Sequence, residues 1–199
     1  MPAASDVQRE KQRRILRAAI TVFARYGYHA SKVSAVATEA GVAYGLVYHY
    51  FGSKEQLLET IFRRTWANML EAVEEVEQAD APVREQLAAI ARIVLGAWEV
   101  DPQLIRVLVR EVARGPRLQH EIDEIQQAFA ALERIVARGQ ERGELRRELE
   151  PRLAAWIVYG ALEEILTGWV FGNLDASADD VARAEQSVVA VLCEGMVAR

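Results

Sequence analysis

Tyr44, Gly45, Tyr48 and His49 fall in one short stretch, Tyr-Gly-Leu-Val-Tyr-His, that reads as part of a helix. Phenol and imidazole groups can hydrogen-bond phosphate oxygens and can lay an apolar edge on a thymine methyl. Gly45 costs about 1 kcal/mol of helix propensity relative to alanine, so something other than local stability keeps it there. A residue without a side chain lets a helix backbone approach another surface closely. Lys54 follows the stretch, and Ser31 and Lys32 open the preceding segment, so cationic and hydroxyl groups flank it on both sides. Helix N-termini at these points would add free backbone N–H donors for phosphate. The same aromatics could instead close a small three-helix core, and spacing alone leaves both readings open.

The elements around these residues support a helix, a tight turn and a second helix. Ile15, Ala19, Val22, Phe23 and Tyr26 make an apolar stripe that stops at Gly27. Ser31 is the expected N-cap of a second helix, whose inner face holds Val33, Val36 and Ala37. Gly41 suits a left-handed turn before a third helix from Tyr44 to Tyr50, where Val47, Tyr50 and Phe51 are expected in the core. Ser53 and Gln56 read as a capping box for a long fourth helix through Leu57, Leu58, Ile61, Phe62 and Met69. That helix is the natural mechanical link between the two parts of the chain. Beyond it, Pro82, Pro102, Pro116 and Pro151 each precede an apolar run of helical period, predicting helices near 82–99, 102–114, 116–141, 151–172 and 179–197. The fold class is therefore all-α, about nine helices. A helix-turn-helix module at 1–53 precedes a larger bundle at 54–199.

Charge is divided unevenly. Residues 1–64 carry ten lysines and arginines against five acids, a balance of +5 within a chain of net charge −5. A basic module beside an acidic one is expected when only the first meets phosphate. The N-terminus has no apolar leader, and the longest uncharged apolar run, Ala154–Leu162, is too short to cross a bilayer, so a cytoplasmic protein without a membrane partner is expected. The single cysteine, Cys193, can form no internal disulfide and is read as a structural thiol. His120 and Glu124 are too few for a metal site, and no nucleophile or phosphate loop accompanies Glu163 and Glu164. Neither a catalytic centre, a metal nor a cofactor is expected.

From Ile15 to Phe62 the chain resembles the DNA-binding domain of the TetR family of bacterial transcription regulators. Phe23-Ala-Arg-Tyr-Gly-Tyr28, Ala40-Gly-Val42, Gly45, Val47-Tyr-His-Tyr-Phe51 and Ser53-Lys-Glu-Gln-Leu-Leu58 carry that resemblance. It implies a homodimer that binds palindromic operator DNA through Ser31, Lys32, Ala43, Tyr44, Gly45, Tyr48, His49 and Lys54. Dimerisation through the last two helices is implied as well, with small residues at Gly160, Ala161 and Gly168. Leu46 and Lys32 depart from the hydroxyl residues common in relatives, so the operator sequence does not transfer.

Trp98, Leu104, Leu108, Phe129, Tyr159, Trp169 and Phe171 could line an apolar effector cavity, or could be plain core. Arg106, Arg110 and Arg114, spaced four apart, could meet an anionic headgroup or could form a solvated face. Gly27-Tyr-His29, Ser31, Val33-Ser34, Gly41-Val-Ala43 and Glu163-Glu-Ile-Leu-Thr-Gly-Trp-Val170 are similar to the FadR-type regulators of fatty-acid degradation within the same family. That similarity implies a repressor released by a long-chain acyl-CoA. The competing expectations are a regulator of efflux or other metabolism answering a different apolar ligand, and an all-α ligand carrier without DNA function.

Overall fold

The computed structural model describes residues 4–112 and 123–196. Among these, nine helices run in the order α1 (Ala4–Tyr26), α2 (Val33–Ala40), α3 (Tyr44–Phe51), α4 (Lys54–Gln78), α5 (Val83–Val100), α6 (Pro102–Val112), α7 (Asp123–Glu141), α8 (Pro151–Phe171) and α9 (Ala178–Met196). The predicted helices all appear. The expected start of the 116–141 helix, with Arg114, Leu118 and His120, lies outside the described residues.

The first three helices and the start of α4 close over one apolar cluster. Ile15, Ala19, Phe23, Val36, Leu57 and Phe62 are almost fully buried there. That cluster reaches Phe62, so a division at residue 53 would fall ahead of two turns of α4 that belong to the N-terminal core. Tyr26, expected on the buried stripe, is instead 57% exposed, because the helix ends there and its last turn overhangs the core. Tyr50 is only partly buried, whereas Val47 and Phe51 are fully inside.

The turn between α2 and α3 is built on Gly41, which sits at φ 62° while the Val42 N–H donates to the Ala37 carbonyl at 3.0 Å. A left-handed residue here lets the chain reverse without a Cβ penalty. Arg14 of α1 completes the turn, donating to the Ala40 carbonyl at 2.7 Å and lying 3.1 Å from where a Gly41 Cβ would be. Ser31 does not cap α2. Lys32 holds the N-cap position with no side-chain bond, and the Ser31 hydroxyl turns back to donate to the Gly27 carbonyl at 2.6 Å. By contrast, Ser53 does cap α4, accepting from the Gln56 N–H at 3.1 Å.

In the larger module α5, α7, α8 and α9 share a second core around Leu87, Leu95, Ile135, Val158 and Cys193. The buried thiol has its pKa raised by burial, in keeping with a structural role. Helix α8 is long and apolar enough by composition to cross a membrane, yet it carries Arg152, Glu163 and Glu164 and buries one face in this core.

The end of α4 is clamped to α7. Glu77 receives two hydrogen bonds from Arg134, at 2.8 and 2.7 Å, and Arg138 donates to its backbone carbonyl at 2.6 Å. The Arg134 hydrogen bonds hold the Glu77 carboxyl below the usual carboxylate range, against the opposing effect of burial. A depressed folded-state pKa contributes stability that is complete above the unfolded pKa and lost as pH falls through the folded one. Glu77→Gln should therefore cost about 1–2 kcal/mol at neutral pH. In denaturant titrations that difference should shrink steadily as the pH is lowered below the usual carboxylate pKa.

Candidate nucleic-acid interface and ligand cavity

Ala43, Tyr44, Gly45, Tyr48 and His49 are all exposed on one side of α3, opposite Val47 and Phe51. Tyr44 and Tyr48, four apart, pair at the surface with hydroxyls 3.1 Å apart and rings 5.1 Å apart. The Tyr44 hydrogen bond raises the Tyr48 phenol pKa, keeping it a neutral hydrogen-bonding group. Gly45 has neither a positive φ nor any atom within 4 Å of where a Cβ would sit. Neither the backbone nor the packing within the chain calls for a glycine at this position.

The flanking residues divide. Lys32 is exposed at the start of α2, whereas Ser31 is 6% exposed with its hydroxyl committed to the turn. Lys54 is half-buried, and its ammonium donates to the carbonyls of Tyr28, His29 and Ser31 at 3.0, 3.4 and 3.1 Å, 4.4 Å from the Tyr28 ring centre. It ties the loop before α2 to the start of α4. The Tyr28 hydroxyl in turn donates to Glu55 at 3.2 Å, and burial followed by the Glu55 charge pushes its pKa up to about 12.

The larger module holds a cavity of about 610 Å³ between α4, α5, α6, α7 and α8. Its volume lies inside the range of roughly 300–1,000 Å³ usual for small-molecule sites. Leu104, Leu108, Phe129 and Tyr159 line it, as expected from sequence. Trp98, Trp169 and Phe171 do not, and Phe171 is 59% exposed at the end of α8. The two tryptophans pack against each other in the second core, ring centres 5.9 Å apart, with the Arg106 guanidinium 5.2 Å above Trp98. Arg110 is also elsewhere, donating to the Ala24 carbonyl of α1 at 3.3 Å. The arginine row is thus divided between a cation–π contact and a link to the N-terminal module, and Arg114 lies outside the described residues. Sequence reasoning missed Trp66, Met69, Arg92 and Glu163 on the cavity wall. Helical period placed Met69 on an inner face but did not tell a packed face from a hollow one.

Helix α6 touches both the cavity and the N-terminal module. Leu104 and Leu108 face the cavity, while Val107 is buried in the N-terminal core. Gln103 pairs with Thr21 at 3.1 Å, and Glu111, itself buried, lies 3.8 Å from His29 on the loop before α2. The expected link through α4 is joined by this second one, which only the packing of α6 along α1 creates.

Residues 15–61 match the model of the bacterial regulatory proteins of the tetR family, and residues 62–195 match that of the YsiA-like protein C-terminal region. The fatty acid metabolism regulator protein of Bacillus subtilis (strain 168) is 31% identical over 191 residues, covering 95% of this chain and 97% of that protein. The crystal structure of the transcriptional regulator FadR from Bacillus subtilis in complex with stearoyl-CoA superposes with a TM-score of 0.80 at 32% identity, covering 92% of this chain and 97% of the other. The fatty acid degradation regulator FadR from Bacillus halodurans gives 0.79 at 28% identity, again over 92% and 97%. The curated relatives are transcriptional regulators, not enzymes. With matching models over both modules and a relative of nearly equal length, the chain belongs to the TetR family of bacterial regulatory proteins.

Proposed function

We propose that this protein is a dimeric repressor that holds a palindromic operator through the exposed face of α3 and releases it when a long-chain acyl-CoA enters the cavity. It would act in the cytoplasm on genes of fatty-acid degradation. The observation that carries the reading is the two-faced α6, which joins an apolar cavity to the module bearing the Gly45 surface. A ligand that spreads Leu104 and Leu108 displaces α6, and with it the Gln103, Arg110 and Glu111 contacts that orient α1 and the loop before α2. Binding then favours a state in which the paired recognition helices are wrongly spaced for half-sites about 34–36 Å apart. Tyr44, Gly45, Tyr48, His49 and Lys32 would meet the DNA, and Ser31 and Lys54 would hold the loop that presents them.

The dimer reading rests on α8. Leu153, Trp156, Ile157 and Gly160 lie along its exposed side, the first three more than half exposed, and a Cβ at Gly160 would meet nothing within 4 Å. Phe171 and Leu174 at its end and Val191 on α9 add to this apolar surface. Gly168 has a different role, since a Cβ there would come 2.7 Å from Leu174 within the same chain.

Selecting random duplex DNA on the purified protein, with and without oleoyl-CoA, tests the whole reading. An enriched palindrome that is lost on adding oleoyl-CoA is the expected result. A palindrome indifferent to oleoyl-CoA would overturn the effector, and no enrichment at moderate salt would overturn the regulator.

A further inference from the structure

A second, smaller cavity of about 390 Å³ lies beside the first, and the two share Trp66, Phe129, Tyr159 and Glu163. The shared aromatics form a connected wall. Tyr159 lies 6.2 Å from Trp66 and 4.7 Å from Phe129, and Phe129 stacks on the exposed Trp156 at 4.6 Å. The compartments differ in chemistry. The larger is lined almost entirely by aliphatic and aromatic groups, whereas the smaller adds Gln126, Glu133 and Arg152. Glu163 is the charged residue common to both. Its neighbour Glu164 is exposed on α8, so the pair divides between site and solvent. Burial, and then the Glu164 charge, raise the Glu163 carboxyl pKa, and burial likewise raises the Tyr159 phenol, which therefore stays a neutral donor.

We propose that Glu163 is the specificity residue of the effector site, standing where the apolar compartment meets the polar one, admitting an acyl chain whose head is an uncharged thioester and rejecting the same chain ending in a carboxylate. The inference rests on the acyl-ligand reading above. With the hydrocarbon in the larger cavity, the acyl carbonyl falls at the junction, where the Tyr159 hydroxyl can donate to its oxygen. Beyond the sulfur, a coenzyme A thioester continues as a neutral arm of two amides. Gln126 and Arg152 offer donors to their carbonyls and Glu133 an acceptor to their N–H groups, while the phosphates remain outside. A free fatty acid would set a second carboxylate against Glu163 in a site poor in water, where either the two charges repel or one of the two carboxyls is forced to hold a proton, and both cost binding. The arginines lining the two compartments, Arg92 in the larger and Arg152 in the smaller, are both exposed to solvent, and Arg92 interacts with Glu185.

Calorimetric titration of the full-length protein with oleoyl-CoA, oleate and methyl oleate tests this. Oleoyl-CoA and the uncharged methyl ester should both bind at least about tenfold more tightly than oleate, a gap of roughly 1.4 kcal/mol. In Glu163→Gln the gap between oleate and methyl oleate should close by about that factor. Methyl oleate binding as weakly as oleate, or a gap unchanged in Glu163→Gln, would overturn the role of Glu163 and leave the acyl effector standing. The comparison within wild-type protein keeps the test valid if the variant folds poorly. If none of the three binds, the acyl reading itself fails, and the inference with it.

Discussion

Tyr48→Ala is expected to lose operator binding while still forming dimers and still taking up its effector. A side chain that contacts a base or phosphate well contributes about 1–3 kcal/mol, and a dimer makes each contact twice. The loss should therefore be about 2–6 kcal/mol per operator, or roughly 30- to 20,000-fold in affinity. Gly45→Ala sharpens the test because its effects on folding and binding have opposite signs. The new methyl group meets nothing within the chain, and alanine is the better helix former by about 1 kcal/mol. Its thermal midpoint should rise slightly as operator affinity falls, because a methyl on the approach face holds α3 off the DNA. Fluorescence anisotropy on labelled operator, alongside thermal melts, reads both. An undiminished affinity in both variants would remove α3 as the recognition helix.

Leu108→Trp should give a repressor that its effector cannot release. Leu108 projects from α6 into the cavity and touches both apolar cores, so an indole there fills space the ligand needs. Overpacking a filled core usually costs about 1–3 kcal/mol, but here the cavity of about 610 Å³ can take the added ring. In the wild-type protein, effector binding should weaken the operator complex by about 5- to 150-fold, the usual span of an allosteric coupling. In Leu108→Trp that factor should fall towards one, with operator affinity in the absence of effector retained. Release of the variant at the wild-type effector concentration would place the ligand outside this cavity.

The helices and their order were legible because the local rules agree along most of the chain. Apolar residues recur at helical spacing, and glycine and proline stand at the breaks. Ser53 before Lys54 and Gly41 after Ala40 are capping signals that need no tertiary contact to be read. Gly45 stands out for the opposite reason. It violates helix propensity without structural need, and the structure leaves the violation standing by finding no neighbour for it.

What the sequence determined was the set of faces, namely which side of each helix is apolar, where the chain turns and which module is basic. Only the tertiary structure decided what each face meets. Trp98 and Trp169 have the same apolar character as Phe129 and Tyr159, yet the first two fill a core and the last two line a cavity. Lys54 and Arg110 look like free cations, but folding brings carbonyls from distant residues to their donors. A hollow, a charge at a junction such as Glu163, and a helix shared between two modules all arise from the crossing of helices far apart in sequence. Periodicity describes one helix at a time, and so it carries no trace of them.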